Sequence, residues 1–136
     1  MMQKQLSINI MLLSALILLS SCTPSRTAPQ KSKEGISSKI HISRLEHVNS
    51  DGLYGPKDGL VALHYEFCIP RKPELKAEVQ RIDPTIEISE SSRGRIGCTK
   101  EQYLCLGHTS QKQHRQTLQR LAAKEYILRI EEAWFE

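Results

Sequence analysis

The sequence lacks the short motifs by which many enzymes are recognised. Its 136 residues contain no Gly-x-Ser-x-Gly, His-Glu-x-x-His, phosphate-binding-loop or dinucleotide-binding pattern. They also contain no closely spaced cysteine pair of the Cys-x-x-Cys type, which structural zinc sites commonly use. We therefore expect a protein with no catalytic residues, no cofactor and no bound metal.

A strong net charge is absent as well. Lys4 is the one charged residue within residues 1–21, so the rest of the chain holds 18 of the 19 Lys and Arg residues and all 15 Asp and Glu residues, a formal charge of +3. A nucleic-acid-binding domain usually carries a larger basic excess, clustered on one face. The charge balance therefore argues against nucleic acid as a partner.

The N-terminal segment has the organisation of an export signal. Lys4 is followed by an apolar stretch over residues 8–19, which only Asn9 and Ser14 interrupt. This stretch is shorter than the roughly 20 apolar residues that a membrane-spanning helix needs, and it has the length typical of the core of a signal peptide. We predict that residues 1–21 are a signal peptide.

The apolar stretch ends in Leu19-Ser20-Ser21-Cys22, which resembles the lipobox of bacterial lipoprotein precursors. The resemblance implies cleavage before Cys22 and attachment of diacylglycerol to its thiol, so that the membrane is a partner through this anchor. In that family an aspartate after the cysteine retains the protein in the inner membrane, so Thr23 indicates the outer membrane, facing the periplasm. The alternatives are an ordinary secretory signal, cleaved near Ser21 with Cys22 as a spare cysteine, and an uncleaved core helix.

The chain after the signal divides into a tether and a domain. Residues 22–38 contain two prolines and several serines, which predicts a flexible tether, and residues 39–136 predict a single small α+β domain. Thr109 or Ser110 is the expected N-cap of its second helix. The apolar pattern predicts, in order, an extra strand at 39–48, a strand at 60–69, a helix at 73–82, a strand at 85–90, a loop at 91–100, a strand at 102–108, a helix at 111–124 and a strand at 126–135.

This succession, β-α-β-β-α-β after one extra strand, matches the ferredoxin-like plan. In that plan the four strands are ordered 4-1-3-2 and both helices cover one face of the sheet. The side chains expected beneath the helices include Leu104, Leu106, Tyr126, Leu128 and Ile130. The opposite face is expected to carry His64, Glu66, Cys68, Glu87, Cys105, Arg129 and Glu131.

Three cysteines remain if Cys22 is lipidated. In an oxidising compartment three thiols allow one bridge and leave one thiol over. The ferredoxin-like plan brings the end of the strand at 60–69 close to the loop at 91–100, so we predict a Cys68–Cys98 disulfide and a buried free Cys105. A bridge between Cys68 and Cys105, on neighbouring strands, is the alternative.

The loop Ser91–Cys98 reads Ser-Ser-Arg-Gly-Arg-Ile-Gly-Cys. Glycines allow backbone amides to point together and arginines are planar bidentate donors, so this loop is a candidate site for a carboxylate, a phosphate or a protein partner. The plan places Arg71 and Lys72 at the same edge of the sheet. We therefore predict an anion- or partner-binding site that consists of Arg93, Arg95, Arg71 and Lys72. The alternative is an ordinary hairpin whose arginines are solvated or pair with neighbouring glutamates.

Two further arrangements of cysteine and histidine deserve comparison with the disulfide. Cys105 and His64 would form a nucleophile and its base if they met on the open face of the sheet. However, a catalytic thiol needs a lowered pKa and an accessible pocket, which a half-covered sheet does not obviously supply. A soft-metal site at Cys98, Cys105 and His108 is also disfavoured, because strand alternation sends Cys105 and His108 to opposite faces.

Residues 121–131, a helix that runs directly into a last strand, resemble the end of subtilisin prodomains and of related free inhibitors. Those proteins are ferredoxin-like modules whose C-terminal tail enters the protease cleft. The resemblance implies an alternative function as a protease inhibitor or folding helper, with Trp134-Phe135-Glu136 as a short tail. The leading expectation is a non-enzymatic module, anchored in the cell envelope, that binds an envelope protein or an anionic ligand.

Overall fold

A computed structural model describes residues 37–135. The predicted signal peptide, the lipidation site Cys22 and all but the last two residues of the predicted tether lie outside the described residues. Within residues 37–135, no helix is both long enough and apolar enough to cross a bilayer.

Residues 37–135 form two α-helices and seven short strands, which confirms the predicted α+β class. In chain order the elements are β1 (Ile40–His41), a 3-10 turn (Leu45–His47), β2 (Leu53–Tyr54), β3 (Val61–Ala62), β4 (His64–Pro70), α1 (Pro73–Ile82), β5 (Glu87–Ser89), β6 (Gln102–His108), α2 (His114–Ala122) and β7 (Ile130–Ala133).

The described part of the chain contains a five-stranded mixed sheet and a separate two-stranded hairpin. The strand order in the sheet is β1-β7-β4-β6-β5, and the hairpin consists of β2 and β3. β1 is parallel to β7, whereas every other neighbouring pair in the sheet is antiparallel. Helix α1 connects β4 to β5 and α2 connects β6 to β7. In both units the two connected strands are parallel and a third strand lies between them.

One face of the sheet is covered by both helices, and we call it the helix face. It bears Tyr65, Phe67 and Ile69, which are completely buried, as the alternation in the sequence predicts. The helices contribute Val79, Ile82, Leu118, Leu121 and Ala122 to the same core. We call the opposite side, which bears His64, Glu66 and Cys68, the open face.

Helix α1 begins and ends where the sequence predicts. Pro73 occupies its first position, where the missing N–H would have had no acceptor within the helix. The helix ends at Ile82, and Asp83 adopts an extended conformation directly before Pro84. The sequence marks both ends because proline restricts the backbone at each of them.

The predicted orientation of β6 is wrong. Cross-strand neighbours share a face, and β4 pairs Phe67 with Cys105 and Cys68 with Leu104. Cys105 therefore belongs to the core on the helix face, whereas Leu104 and Leu106 lie on the open face. Both alternating sets of β6 side chains include apolar residues, and the segment 91–98 covers part of the open face. The hydrophobicity of the β6 residues alone therefore did not distinguish the two faces.

The predicted first and last strands are too long. Within the segment 39–48, only β1 is a strand. The buried residues that follow it, Ile42, Leu45 and Val48, are three positions apart, which is the spacing of a 3-10 turn. At the other end, β7 starts only at Ile130, after a turn in which the Ile127 N–H donates to the Lys124 carbonyl.

That turn changes which side chains are buried after α2. Ile127 is completely buried and Ile130 lies in the core, whereas Leu128 is 75% exposed, contrary to the prediction that Leu128 packs beneath the helices. Tyr126 is partly buried against the core, and its hydroxyl donates to Glu78.

Helix α2 begins later than the sequence predicts, and its N-cap residue is Gln113, which makes no side-chain capping bond. The expected cap Thr109 has another role, because its buried hydroxyl donates to the Gly52 carbonyl and accepts the Leu63 N–H. Thr109 thus joins the β2–β3 hairpin to the start of β4 instead of capping the helix.

A buried carboxylate ties several of these elements together. Asp83 is completely buried, and its Oδ1 accepts hydrogen bonds from the Thr85 N–H and hydroxyl and from Gln111 Nε2. The Tyr65 hydroxyl donates to Oδ2. Burial, together with the nearby Asp83 charge, raises the pKa of Tyr65, so the phenol stays protonated and keeps donating. The network joins the end of α1 to β4, to the segment before β5 and to the segment before α2.

Candidate functional site

The segment Ser91–Cys98, which we call the arginine loop, lies across the open face of the sheet. A disulfide and several hydrogen bonds, described below, hold it there. Its apolar side chains form a second, smaller core with the strands beneath them: Ile96, Cys98, Leu104, Cys68 and Leu106. The loop is therefore a layer of the domain and not a protruding hairpin.

A disulfide fastens the end of the arginine loop to β4. Cys68 and Cys98 are bonded, with their Cα atoms 5.5 Å apart, which confirms the predicted bridge. Cys105 is free and buried. The alternative bridge between Cys68 and Cys105 is wrong, because the two side chains point to opposite faces of the sheet.

A carboxylate on the open face receives a hydrogen bond from the arginine loop. Glu66 is only 4% exposed, and its Oε1 accepts the Ile96 N–H at 2.6 Å. Gly94, whose φ is +61°, passes so close that a Cβ atom there would lie 2.6 Å from Glu66 Oε2. The Ile96 amide of this loop therefore binds a carboxylate of the same chain.

A second contact with the loop comes from Arg129, which directly precedes β7 and which the sequence predicts on the open face. Its guanidinium donates to the Ile96 carbonyl at 2.8 Å and pairs with Glu131 at 3.1 Å. Both backbone polar groups of Ile96 are thus bound by side chains, those of Glu66 in β4 and of Arg129 directly before β7. Sequence reasoning missed this role of Glu66, because a glutamate on the polar side of an alternating strand is what a solvent-facing position predicts.

One cleft, of about 350 Å³, lies between the arginine loop and the C-terminal end of β7, and we call it the arginine cleft. Arg93 and Arg95 line it together with Trp134 and Phe135, whose side chains are 52% and 64% exposed. Arg93 Nε donates to the Cys98 carbonyl at 3.0 Å, which holds the exposed guanidinium in one orientation. The cleft therefore offers fixed positive charge beside aromatic surface.

Trp134 is itself positioned by the N-terminal part of the domain. The Arg44 guanidinium lies 4.1 Å from the centre of the Trp134 ring, an arrangement that favours a cation–π interaction. Arg44 also donates to Glu132, whose side chain is largely buried. Trp134, which forms part of the cleft wall, is thus held in place by Arg44, and Arg44 is in turn held by Glu132 of β7.

A second cleft, of about 250 Å³, lies on the other side of the arginine loop, and we call it the disulfide cleft. Cys68, Ile96, Leu128 and Arg129 contribute to its lining. The exposed Leu128 and the disulfide make part of its wall apolar.

The four cations predicted as one site are not brought together. Arg71 and Lys72 do not line the arginine cleft. The Arg71 guanidinium donates to the carbonyls of Glu90, Lys100 and Gln102, which are close to the ends of the loop, and lies 4.6 Å from the centre of the Tyr103 ring. Arg71 holds the base of the loop, and Lys72 is exposed at the N-cap of α1.

The cysteine–histidine pair considered from the sequence is not assembled either. The sheet separates Cys105, on the helix face, from His64, which contacts His108 and Phe135 on the open face. Burial raises the pKa of the Cys105 thiol to about 12, so the thiolate is scarce at neutral pH. Within residues 37–135 no three His, Cys, Asp or Glu side chains are grouped so that they could hold a metal ion.

Replacement of both bridge cysteines, Cys68→Ala and Cys98→Ala, is expected to lower the free energy of unfolding by about 2–4 kcal/mol, because the bridge no longer restricts the unfolded chain. Urea denaturation of the full chain measures this loss. In the unmodified protein, Cys105 should react with a thiol reagent only after denaturation. Rapid labelling of Cys105 in the native state would contradict its placement in the core.

Replacement of Glu66 by alanine is expected to lower the free energy of unfolding by roughly 1–3 kcal/mol, because the buried Ile96 amide loses its acceptor. The same change should loosen the loop and speed tryptic cleavage after Arg93 and Arg95. Glu87→Ala, which removes an exposed carboxylate from the same face, is the control. Equal cleavage rates in the two variants would show that Glu66 does not hold the loop.

Comparison with known proteins gives no match to this chain: no family model, curated protein or solved structure is significantly similar to it.

Proposed function

We propose that this protein is a lipoprotein of the bacterial cell envelope whose domain binds another envelope protein and catalyses no reaction. The lipobox-like Leu19–Cys22 after an apolar stretch supports the anchor. The proline- and serine-containing segment 22–38 is the proposed tether between this anchor and the domain.

The anchor has a direct test. Cells that express the full chain are labelled with radioactive palmitate, and the protein is isolated from the membrane fraction. Cys22→Ser is expected to lose the label, whereas Cys105→Ala, which removes another thiol, keeps it. Label that persists in the Cys22 variant would refute the anchor and would return Cys22 to the set of cysteines available for pairing.

The order β7-β4-β6-β5 supports a ferredoxin-like assignment of the domain, because these are the fourth, first, third and second strands of the β-α-β-β-α-β succession. In this assignment β1 is the extra N-terminal strand. A ferredoxin-like fold does not imply a function, so the proposed function depends on the open face alone.

The observation that carries the proposed function is the arginine cleft. Arginine and tryptophan are the residue types that most often contribute large binding energies in protein interfaces, and here they line one cleft. Trp134 and Phe135 are among the few large apolar side chains that residues 37–135 expose. Exposed apolar surface next to fixed charge is typical of an interaction site.

The chemistry of the lining favours an acidic partner. Two arginines line the cleft. Among the lining residues within 37–135, the acidic one is Glu66, which is buried and bound to the Ile96 amide. An aspartate or glutamate side chain of a partner can form bidentate hydrogen bonds with a guanidinium, and an adjacent apolar side chain can pack on Trp134 or Phe135. We propose as occupant a peptide segment of an envelope protein that combines a carboxylate with an apolar residue.

The test is crosslinking in the native envelope. A photo-reactive amino acid replaces Phe135 in the full chain, and the crosslinked partner is identified by mass spectrometry. The substitutions Arg93→Glu and Arg95→Glu should reduce the yield of this crosslink about tenfold or more, because they reverse the charge that faces an acidic partner.

Arg81→Glu with Arg120→Glu is the matched control, because both arginines are exposed on the helices and lie away from the cleft. An unchanged crosslink in the Arg93 and Arg95 variant, or an equal loss in the control, would overturn the assignment. Identification of a subtilisin-like protease as the partner would instead favour the alternative function, a protease inhibitor or folding helper. That alternative is supported by the resemblance of residues 121–131 to the end of subtilisin prodomains and by the exposed Trp134 and Phe135 after the last strand.

A further inference from the structure

The disulfide cleft, which the proposed function does not use, brings the Cys68–Cys98 bridge to the surface. Cys68 lines this cleft and is partly exposed, whereas Cys98 is only 1% exposed. Gly97, next to Cys98, also lines the cleft, and a Cβ atom there would meet no other atom within 4 Å. The bridge is therefore reached from the Cys68 side, past open space at Gly97.

The lining of the disulfide cleft suits an anionic reactant that has an apolar part. Arg129 contributes a guanidinium, which also pairs with Glu131 at 3.1 Å. Among the lining residues within 37–135, none is Asp or Glu. Ile96 and the 75% exposed Leu128 add apolar surface. A thiolate, which is the species that attacks a disulfide, thus meets no repelling charge in this lining.

The third cysteine of the domain cannot attack this bridge. Cys105 is buried on the helix face, on the opposite side of the sheet from Cys68. Burial raises the pKa of the Cys105 thiol to about 12, so little thiolate forms at neutral pH. A thiol that exchanges with the bridge must therefore come from another molecule.

We propose that the Cys68–Cys98 bridge is a site of thiol–disulfide exchange, at which an external dithiol reduces the bridge through the disulfide cleft. One thiolate of the dithiol attacks Cys68 Sγ. A mixed disulfide with Cys68 forms, the Cys68–Cys98 bond breaks, and Cys98 leaves as a thiolate that takes up a proton. The second thiol of the reductant then loses its proton and attacks the reductant's own sulfur in the mixed disulfide. Cys68 is released and takes up a proton, so that two electrons have passed from the dithiol, now a disulfide, to the protein.

The geometry favours a dithiol over a single thiol. The Cα atoms of Cys68 and Cys98 are 5.5 Å apart, and the Ile96 hydrogen bonds to Glu66 and Arg129 do not depend on the bridge. The freed Cys98 thus stays close to Cys68 and expels a single thiol from the mixed disulfide again. A dithiol carries a second thiol that reacts within the same molecule and competes with Cys98.

Reduction changes how the arginine loop is attached. The bridge is the covalent link between the end of this loop and β4. Without it, the loop is held to the open face by hydrogen bonds such as those of Ile96. Single hydrogen bonds open far more readily than a covalent bond, so the reduced loop leaves the sheet more often.

The first experiment measures whether the bridge is reduced in the folded protein. The full chain in neutral detergent is treated with dithiothreitol, and thiols are alkylated at intervals. Cys68, Cys98 and Cys105 fall in separate tryptic peptides, so mass spectrometry follows each of them. The native bridge is expected to react within about a hundredfold of its rate in urea-unfolded chain, whereas a bridge that opens only by global unfolding is slowed by roughly a thousandfold or more.

Urea below the unfolding transition supplies the control for this rate. Exchange through the disulfide cleft should not accelerate with urea in this range. A native rate that rises in parallel with the unfolded fraction, or a slowing of a thousandfold or more, would overturn the proposal.

The second experiment identifies the attacked sulfur and the class of reductant. After brief treatment with reduced glutathione and alkylation, the glutathione adduct is expected on Cys68, and most bridges should remain intact. Dithiothreitol at the same thiol concentration should reduce the bridge completely. An adduct on Cys98 would refute attack at Cys68, and equally complete reduction by glutathione would refute the requirement for a dithiol.

The third experiment tests the route through the cleft. Leu128→Glu places a carboxylate at the cleft and is expected to slow reduction by dithiothreitol about two- to fivefold at low ionic strength, because it repels the thiolate. Leu60→Glu is the matched control, since Leu60 is an exposed leucine that does not line this cleft. Equal rates in the two variants would show that the thiolate does not approach through the disulfide cleft.

The fourth experiment tests the effect on the loop. The reduced and alkylated full chain is expected to be cleaved by trypsin after Arg93 and Arg95 several-fold faster than the oxidised chain. Cleavage after Arg81 and Arg120, which lie in the helices, should keep its rate. Unchanged cleavage after Arg93 and Arg95, or equal acceleration at all four arginines, would overturn local release of the loop.

Discussion

The buried carboxylate of Glu66, in the middle of the open face, constrains how the residues around it can pack. Glu66 belongs to the central strand β4, and the fold removes it almost completely from water. A buried carboxylate needs donors, and the Ile96 amide supplies one only when the arginine loop lies across the sheet. The disulfide at Cys98 and the absence of a side chain at Gly94 make this close approach possible.

The position of the loop then determines the shape of the site. With the loop in place, a flat sheet face becomes two clefts, one beside the disulfide and one beside the C-terminal aromatic residues. The same contacts orient Arg93, because its Nε donates to the Cys98 carbonyl at the disulfide. A guanidinium held in this way loses less conformational freedom on binding than a mobile one, which favours recognition of a carboxylate.

The parts of the fold that the sequence predicts well are those with strong local signals. Helix α1 is bounded by two prolines, and the alternation of Tyr65, Phe67 and Ile69 with polar residues identifies β4. The orientation of β6 was not predictable in this way, because its two alternating sets are both apolar. The same ambiguity affected the region after α2, where a turn shifts the alternation and exposes Leu128.

The sequence by itself determined the α+β class and the position of the first helix, because these follow from residues near one another and from the order of the elements. It favoured the Cys68–Cys98 pairing over Cys68–Cys105, and the tertiary structure decided between them, because each pair joins residues far apart in the chain. Only the tertiary structure decided that Glu66 is the carboxylate bound by the loop. It also decided that Arg93 and Arg95 line one cleft with Trp134, whereas Arg71 does not line it. Glu66 and Ile96 are 30 residues apart. A contact of that kind depends on how the chain reverses and which groups it removes from water, and no local pattern of residues encodes it.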